Sequence, residues 1–147
     1  MRVLSLFDGI CCGHLALERA GIKIESYDAY EIEPNAIKAT QANFPDVVHH
    51  GDVTKEDFTK YKDKVDIIIF GSPCQGFSSS GKQLNFSDPR SKLFFEAVRA
   101  INECNPKYFL MENVVMKKEW QDIISSYLGV EPIEINSSLV SAQNRRR

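Results

Sequence analysis

The sequence feature with the clearest chemical potential is a cysteine that follows an apolar strand pattern and a proline. Residues 67–78 read Ile-Ile-Ile-Phe-Gly-Ser-Pro-Cys-Gln-Gly-Phe-Ser, so the strand pattern stops at Gly71 and Cys74 follows Pro73. The proline ring fixes its own φ and restricts the preceding residue, which holds Cys74 on stiff backbone. Open α/β sheets hold their ligands in loops beyond the carboxyl ends of strands. The placement favours a nucleophilic thiol over a cysteine that fills space in a core.

Acidic residues occur where other predicted strands end. The run Ser-Leu-Phe-Asp-Gly-Ile-Cys-Cys-Gly at residues 5–13 leads from a strand to a helix, and Glu31 and Asp52 end the next two strands. Glycine lets backbone approach a ligand closely, and carboxylates accept hydrogen bonds from ribose hydroxyls or an adenine amine. Together these residues predict a nucleoside pocket. The glycines do not follow the Gly-x-Gly-x-x-Gly spacing of NAD enzymes, so a dehydrogenase is a distant alternative.

Glu112 is the candidate proton donor. It follows the apolar run Tyr-Phe-Leu-Met at the end of the fifth predicted strand, beside the loop that holds Cys74. A carboxyl group in such a semi-buried place is expected to have a raised pKa and to donate a proton near neutrality. The competing interpretation is a structural acid that caps the next helix.

Composition places the chain among soluble globular proteins. Its 147 residues are 43% hydrophobic and 26% charged, and its formal net charge of −2 is not that of a stand-alone nucleic-acid binder. No apolar run reaches the roughly 20 residues of a membrane span, and the N-terminus lacks a signal-peptide pattern. The cysteines show neither Cys-x-x-Cys nor zinc spacing. We therefore expect no metal, no membrane and a cytoplasmic protein with reduced thiols.

Strand and helix patterns alternate along the chain with short connections. Strands are predicted at 3–7, 24–31, 47–50, 65–70, 108–111 and 130–135, with the most apolar, 65–70, at the sheet centre. Helices are predicted at 13–20, from Pro34 toward Phe44, from Thr54, from Asp88-Pro89 and along 120–128 as far as Gly129. The alternation predicts an α/β fold in one domain, 1–147, with a mainly parallel sheet and helices on both faces. The Ser/Gly-rich stretch 78–87 is either a lid beside Cys74 or a plain surface loop.

The motifs along the chain resemble those of the DNA (cytosine-5)-methyltransferases, in the same order and over essentially the whole length. They are the glycine turn at 5–13, Glu31, Gly51-Asp52, Gly-Ser-Pro-Cys-Gln at 71–75, Ser-Gly-Lys-Gln at 80–83, Asp88-Pro-Arg90, Leu93-Phe94, Glu-Asn-Val at 112–114 and Gln-Asn-Arg-Arg-Arg at 143–147. Pro-Cys and Glu-Asn-Val together are highly specific, whereas the glycine turn is not. The resemblance implies a Rossmann-like class I fold that uses S-adenosyl-L-methionine.

The resemblance also implies roles for individual residues. Cys74 would attack carbon 6 of a cytosine flipped out of double-stranded DNA, and Glu112 would hold or protonate ring N3, so that carbon 5 accepts the cofactor's methyl group. A base such as water would remove the carbon-5 proton, and Cys74 would leave. Arg147 would contact the cytosine carbonyl, and Arg145 the phosphate backbone or the closed loop. The residues placed around the cofactor are Phe7, Asp8, Gly9, Ile10, Glu31, Ile32, Asp52, Val53, Gly71, Pro73 and Leu93, and those placed along DNA are Gln75, Ser78, Ser80, Lys82, Arg90 and Gln143.

Two features depart from the family pattern. Cys11 and Cys12 stand where many members have glycine, with Gly13 one place later, so a rearranged turn is expected. The sequence also stops within the arginine motif, before the family's antiparallel strand, target-recognition domain and final motif. We therefore expect the 130–135 strand to lack a neighbour, and the chain alone to be inactive and prone to self-association. A complementary chain that carries the recognition domain would then be its partner.

Two other functions stay open from the sequence. One is the same chemistry on transfer RNA, although the family branch that methylates it tends to have Pro-Pro-Cys and Ser-Pro-Cys here favours DNA. The other is a non-catalytic, cofactor-binding or regulatory fragment, against which the presence of both Cys74 and Glu112 argues. A bacterial or phage origin is expected, within restriction–modification.

Overall fold

The computed structural model describes residues 1–73 and 92–147, which form two compact units. The first contains residues 1–71 and 99–111, and the second contains residues 72–73, 92–98 and 112–147. The strands of the described residues all lie in the first unit and form one parallel sheet of order β3-β2-β1-β4-β5. They are β1 (Arg2–Leu6), β2 (Ser26–Tyr30), β3 (Val48–His49), β4 (Ile67–Phe70) and β5 (Tyr108–Met111).

Helices alternate with these strands, as the sequence predicts for an α/β fold. The α-helices of the described residues are α1 (Cys12–Arg19), α2 (Pro34–Asn43), α3 (Leu93–Cys104) and α4 (Lys118–Leu128). Short 3₁₀ helices occupy Val53–Lys55, Phe58–Tyr61 and Ser137–Leu139.

Strand β1 lies at the centre of the sheet, where the sequence had placed the 65–70 segment. Its residues Val3 and Leu4 point to opposite faces, and both are at most 1% exposed. Val3 pairs with Tyr27 of β2 on one side and with Ile67 of β4 on the other. The most apolar strand, β4, is therefore not the central one. It lies beside the central strand β1, which is also covered on both faces.

The order of the strands reverses beside β1. The chain passes from β1 through β2 to β3 on one side and then returns to place β4 on the other side. Open α/β sheets bind ligands outside the carboxyl ends of the strands at such a reversal. The turn that follows β1 and the Gly71 that follows β4 both belong to this edge, so the fold itself selects where the site should lie.

Both faces of the sheet are covered within the first unit. On one face, Leu17 of α1 packs in a buried cluster with Ala29 of β2. On the other face, the fully buried ring of Phe58 lies 5.4 Å from the ring of Tyr30. The thiol of Cys104, the last residue of α3, donates to the Phe58 carbonyl at 3.7 Å. Coverage of both faces, as predicted, explains why the strands are apolar rather than alternating.

The α-helix predicted from Thr54 is wrong, because the segment forms two separate 3₁₀ turns. The carboxylates of Asp52 and Asp57 each accept a backbone N–H at 3.0 Å, from Thr54 and Thr59 respectively. Each aspartate therefore caps its own short turn, and Thr54 is a capped residue rather than the cap. Two caps placed so close together leave no room for an α-helix.

The strand predicted at 130–135 is also not found in the described residues. Pro132 has no N–H to donate to a ladder, and the side chains of Ile133 and Ile135 are 83% and 56% exposed. Ile135 instead exchanges two backbone hydrogen bonds of 2.8 Å with Arg147. The segment forms an isolated antiparallel bridge within the second unit in place of a sixth sheet strand.

Other predicted boundaries agree closely with the structure. Helix α2 begins at Pro34 after an N-cap at Glu33, and α4 ends where Gly129 adopts a φ of 71°. The helix start predicted at Asp88-Pro89 and the stretch 78–87 lie outside the described residues. Among the helices that are described, none combines the length and apolarity needed to cross a membrane.

Replacing Phe58 with alanine tests whether the 3₁₀ segment is part of the core. The change leaves a cavity beside Tyr30 and Arg99, whose guanidinium carbon lies 4.8 Å from the centre of the Phe58 ring. We expect the free energy of unfolding in urea to fall by about 3–5 kcal/mol. The exposed control Lys62→Ala should change it by less than about 0.5 kcal/mol, and equal losses in the two variants would contradict this packing.

Candidate functional site

The turn that follows β1 has an unusual backbone. Phe7, Gly9 and Cys11 all have positive φ, at 58°, 62° and 65°. A side chain placed on Gly9 would meet no atom within 4 Å, so the backbone there is open to a ligand. Left-handed conformations at the non-glycine residues are strained, and such strain concentrates at functional sites. Cys11, for which the sequence predicts a rearranged turn, has a left-handed conformation directly before α1.

Glu31 holds this turn against the end of β2. One of its carboxylate oxygens accepts the Gly9 N–H at 2.8 Å, and the other accepts the N–H groups of Ile32 and Glu33, each at 2.8 Å. A carboxylate has roughly four acceptor positions, so about one remains for a hydroxyl group of a ligand. The sequence predicts that Glu31 is a ligand-binding acid, and the structure shows that it fixes the backbone of the turn.

The Asp8 carboxylate, expected near the cofactor, is bound by two hydroxyl groups of the protein. One oxygen accepts hydrogen bonds from the Ser5 hydroxyl at 2.6 Å and the Tyr27 hydroxyl at 2.9 Å. The other oxygen is buried and has no hydrogen-bond partner. The side chain is therefore held in place by the Ser5 and Tyr27 hydroxyls.

Asp52 lies at the end of β3 and remains partly exposed. Its carboxylate accepts hydrogen bonds from the backbone N–H and the hydroxyl of Thr54, and these bonds lower its pKa. It is therefore an ionised acceptor at neutral pH. The neighbouring Val53, expected near the cofactor, is buried, with 5% of its surface exposed.

Apolar side chains stand exposed beside these carboxylates. Ile10 in the turn is 59% exposed, and Ile32, directly after Glu31, is 70% exposed. Phe7 is half-buried in the same turn. Exposed apolar surface next to hydrogen-bond acceptors suits a ligand with a flat apolar ring and hydroxyl groups. The first unit thus collects these two types of group at the carboxyl edge of its sheet.

The second unit pairs two residues that the sequence assigned to catalysis. The Arg147 Nε lies 2.7 Å from a Glu112 carboxylate oxygen, and the two side chains form an ion pair. The Glu112 side chain is 62% exposed, whereas that of Arg147 is 27% exposed. The semi-buried surroundings expected for Glu112 are not found, because it ends β5 facing solvent and its contact is an ion pair.

Asn113 was part of a recognised motif but had no role assigned from the sequence. Its side-chain amide donates to the Ser72 carbonyl at 3.5 Å, and its carbonyl oxygen accepts the Val114 N–H at 2.8 Å. Ser72 is buried and precedes Pro73. Asn113 therefore fixes backbone just before the Pro-Cys pair. The sequence signal for Asn113 is its place beside Glu112.

The backbone of the arginine motif is held by hydrogen bonds to Ser137. Ser137 binds the Gln143 carbonyl at 2.6 Å through its hydroxyl, and its N–H binds the Arg145 carbonyl at 2.9 Å. Arg146, to which no role was assigned, makes a bidentate pair with Glu134, with both contacts at 2.7 Å. Gln143 and Arg145 are exposed, so both side chains are accessible to a phosphate backbone.

Several predicted site residues fall beyond what the structure describes. Pro73 and Leu93 border the gap between the described ranges and are both half-buried. Within those ranges, no group of three His, Cys, Asp or Glu side chains is placed to hold a metal ion. The residues outside the described ranges are Cys74, Gln75, Ser78, Ser80, Lys82 and Arg90.

Comparison with solved structures first defines the class of fold. A DNMT2 variant from Spodoptera frugiperda superimposes with a TM-score of 0.67 at 28% sequence identity, covering 87% of this chain and 40% of that one. The five-stranded sheet with its helices is thus the Rossmann-like fold of that class of methyltransferase. The strand order of this sheet reverses beside β1, and open α/β sheets bind ligands at such a reversal.

Sequence comparisons then give the family. The family described as C-5 cytosine-specific DNA methylase matches residues 1–123, and the chain belongs to it. The type II methyltransferase M.Eco47II of Escherichia coli is 48% identical over 113 residues, 76% of this chain and 27% of the relative. M1.ScrFI of Lactococcus lactis subsp. cremoris is 45% identical over 113 residues, 77% of this chain and 28% of the relative. The chain thus spans about a quarter of these relatives' length.

Replacing Glu31 with alanine tests its double role. The variant loses the acceptor for the Gly9 N–H as well as the acceptor for a ligand hydroxyl. We expect affinity for S-adenosyl-L-methionine, measured by calorimetry, to fall by about 1–3 kcal/mol. Glu33→Ala is the matched control, because it removes the adjacent carboxylate but keeps the Glu33 N–H that Glu31 accepts. Unchanged affinity in Glu31→Ala, in a chain whose parent binds the cofactor, would refute this assignment.

Proposed function

We propose that this chain binds S-adenosyl-L-methionine and supplies the cysteine nucleophile for methylation of carbon 5 of cytosine in DNA. The observation that carries the proposal is the carboxyl edge of the first unit, where Glu31 and an open Gly9 backbone meet at the reversal of the sheet. Membership of the C-5 cytosine-specific DNA methylase family supports the substrate and the reaction. Because the family description names DNA, transfer RNA is not favoured as the acceptor.

The chemistry of the exposed groups fits the cofactor. Glu31 and Asp52 would accept hydrogen bonds from the ribose and adenine, and the exposed Ile10 and Ile32 would pack on the adenine ring. Gly9 and Gly71 would let the backbone approach closely. When bound, S-adenosyl-L-methionine supplies an electrophilic methyl group. The edge therefore offers acceptors for the polar groups of the nucleoside and apolar contact for its base.

Cys74 is proposed as the group that activates cytosine. Its thiolate forms a bond to carbon 6, and the electron pair of the 5,6 double bond moves so that carbon 5 becomes nucleophilic. After carbon 5 has accepted the methyl group, a base removes the carbon-5 proton. The electron pair of that C–H bond restores the double bond as the sulfur–carbon 6 bond breaks. Cys74 is thereby returned unchanged.

The pair formed by Glu112 and Arg147 matches the two ring positions that must be held during this reaction. The Arg147 guanidinium is a permanent donor and suits the cytosine carbonyl oxygen, whereas Glu112 in its protonated form would donate to ring N3. The carbonyl oxygen and ring N3 are neighbours on one edge of the base, and the Arg147 and Glu112 side chains approach each other to 2.7 Å. Binding of the base would therefore exchange the ion pair for contacts to the substrate.

The reaction also requires access to the target base. The reacting carbons are stacked inside the duplex, so the target nucleotide must be extruded, at a cost of a few kcal/mol. Contacts to DNA are proposed from Gln75, Ser78, Ser80, Lys82, Arg90, Arg145 and Gln143. A segment or chain that reads the target sequence would be the partner, and the cytoplasm, where bacterial DNA lies, is the proposed location.

Replacing Cys74 with alanine should abolish methyl transfer while leaving affinity for S-adenosyl-L-methionine nearly unchanged. The assay is transfer of labelled methyl groups to DNA, by the chain alone or within any longer enzyme that contains it. DNA with 5-fluorocytosine should trap a covalent adduct with the parent, seen on a denaturing gel, because fluorine replaces the proton that must leave. Cys12→Ala, at an exposed cysteine, is the control. Turnover by the Cys74→Ala variant would show that Cys74 is not the nucleophile and that this residue has a non-catalytic or different role.

Replacing Glu112 with glutamine tests the proton donor with little change in shape. The amide can still accept a hydrogen bond from Arg147, but it cannot pass a proton to ring N3. We expect kcat to fall by about 10²–10⁴-fold, the range for general acid–base catalysis, with cofactor affinity retained. Glu119→Gln, an exposed change in the first turn of α4, is the control. Equal effects of the two substitutions on kcat would count against Glu112.

A further inference from the structure

The turn after β1 requires something to hold it, because two of its residues are strained. Phe7 and Cys11 have positive φ although neither is glycine. A left-handed conformation is strained for a non-glycine residue, so surrounding contacts must stabilise it. From outside the turn, Glu31 accepts the Gly9 N–H at 2.8 Å, and the Thr40 hydroxyl lies 3.5 Å from the Gly9 carbonyl. These two contacts act on Gly9, and the Asp8 N–H donates to the Tyr30 carbonyl of β2 at 3.1 Å.

The contact from inside the turn is made by Tyr27 through Asp8. The Tyr27 side chain rises from β2, is only 2% exposed, and donates its hydroxyl hydrogen to the Asp8 carboxylate at 2.9 Å. The Ser5 hydroxyl donates to the same oxygen at 2.6 Å. Asp8 lies between the two residues that begin the positive-φ series, Phe7 and Gly9, so fixing its side chain fixes the backbone on both sides of it.

Gly13 is what allows the Tyr27 hydroxyl to occupy this position. A Cβ atom on residue 13 would lie 2.9 Å from the Tyr27 hydroxyl oxygen and 3.5 Å from the Ile69 side chain. The φ of Gly13 is not positive, so the backbone conformation itself does not require glycine there. The missing side chain instead provides the space in which Tyr27 reaches Asp8.

Charge and burial keep the donors around Asp8 protonated. Burial, with the nearby charge of Asp8, raises the pKa of Tyr27. The same two causes, in the same order, raise the pKa of the Cys11 thiol to about 12. Both groups therefore remain protonated across the physiological range, and the hydrogen bond from Tyr27 to Asp8 persists there.

We propose that Tyr27 is a positioning residue for the cofactor site: its hydroxyl holds Asp8, Asp8 holds the turn, and the turn presents Gly9 and Ile10 to the nucleoside. The inference rests on the proposed cofactor site and adds a residue to which no role was assigned from the sequence. Asp8 itself acts from beneath the turn rather than by touching the cofactor. Gly13 is part of the same arrangement, because its missing side chain leaves room for the Tyr27 hydroxyl.

Replacing Tyr27 with phenylalanine isolates the hydroxyl, because the ring and its packing against His14 are kept. We expect affinity for S-adenosyl-L-homocysteine, measured by calorimetry on the intact chain, to weaken about tenfold, the scale for a hydrogen bond to a charged group. Asn105→Ala is the control, because it removes the 2.8 Å hydrogen bond to Asp63 at the opposite edge of the sheet. That variant should lose stability in urea while keeping its affinity.

A double-mutant cycle separates positioning from general loss of stability. Gly13→Ala alone should weaken binding, because the new methyl group displaces the Tyr27 hydroxyl from Asp8. Once the hydroxyl is absent, the methyl group has nothing to displace. The combined Gly13→Ala, Tyr27→Phe variant should therefore bind as Tyr27→Phe does, and the two changes should not add.

The outcomes distinguish this inference from the proposed function. If the parent chain fails to bind S-adenosyl-L-homocysteine, the proposed cofactor site is wrong. If the parent binds and Tyr27→Phe binds equally well, the positioning role is wrong while the cofactor site stands. Fully additive losses in the cycle would also overturn it, because residues 13 and 27 would then act independently.

Discussion

The hydrogen bond from the Gly9 N–H to the Glu31 carboxylate is the contact on which the candidate site depends. It joins the turn after the central strand to the end of the neighbouring strand, and the same carboxylate accepts the first N–H groups leading into α2. One side chain thereby sets the relative position of a strained turn, a strand end and a helix start. Gly9, Ile10 and Ile32, which are proposed to contact a nucleoside, all extend from backbone that this contact fixes.

Much of this arrangement could be predicted from sequence because it depends on local chemistry. Apolar runs gave the parallel strands, Pro34 and Gly129 gave helix boundaries, and Glu31 was identified by its place after a strand. The hydrogen bond from Tyr27 to Asp8 could not be predicted, because Tyr27 is 19 residues away along the chain. The two 3₁₀ turns could not be predicted, because Thr54-x-x-Asp57 resembles the capping box of one helix whereas Asp52 and Asp57 each cap a separate turn.

In the second unit, too, the residue types can be read from the sequence but the surroundings of those residues cannot. The motif predicts Glu112 and Arg147 as site residues, but their ion pair joins distant parts of the chain and is not written in local sequence. Burial was likewise misjudged, since an apolar run before Glu112 says nothing about what covers the residue after it. Exposure of Glu112 means that its chemistry must be set by a partner or a substrate rather than by the surrounding protein.

The close approach of position 13 to Tyr27 has an evolutionary consequence. A small residue at position 13 is required only while position 27 carries a hydroxyl that reaches Asp8. Among related sequences the two positions should therefore change together, so that larger residues at 13 accompany loss of tyrosine at 27. Glycines elsewhere in such turns follow from backbone φ and vary independently. A lineage could thus move the glycine of its cofactor turn by one place, provided that a neighbouring strand acquired the side chain that fills the space.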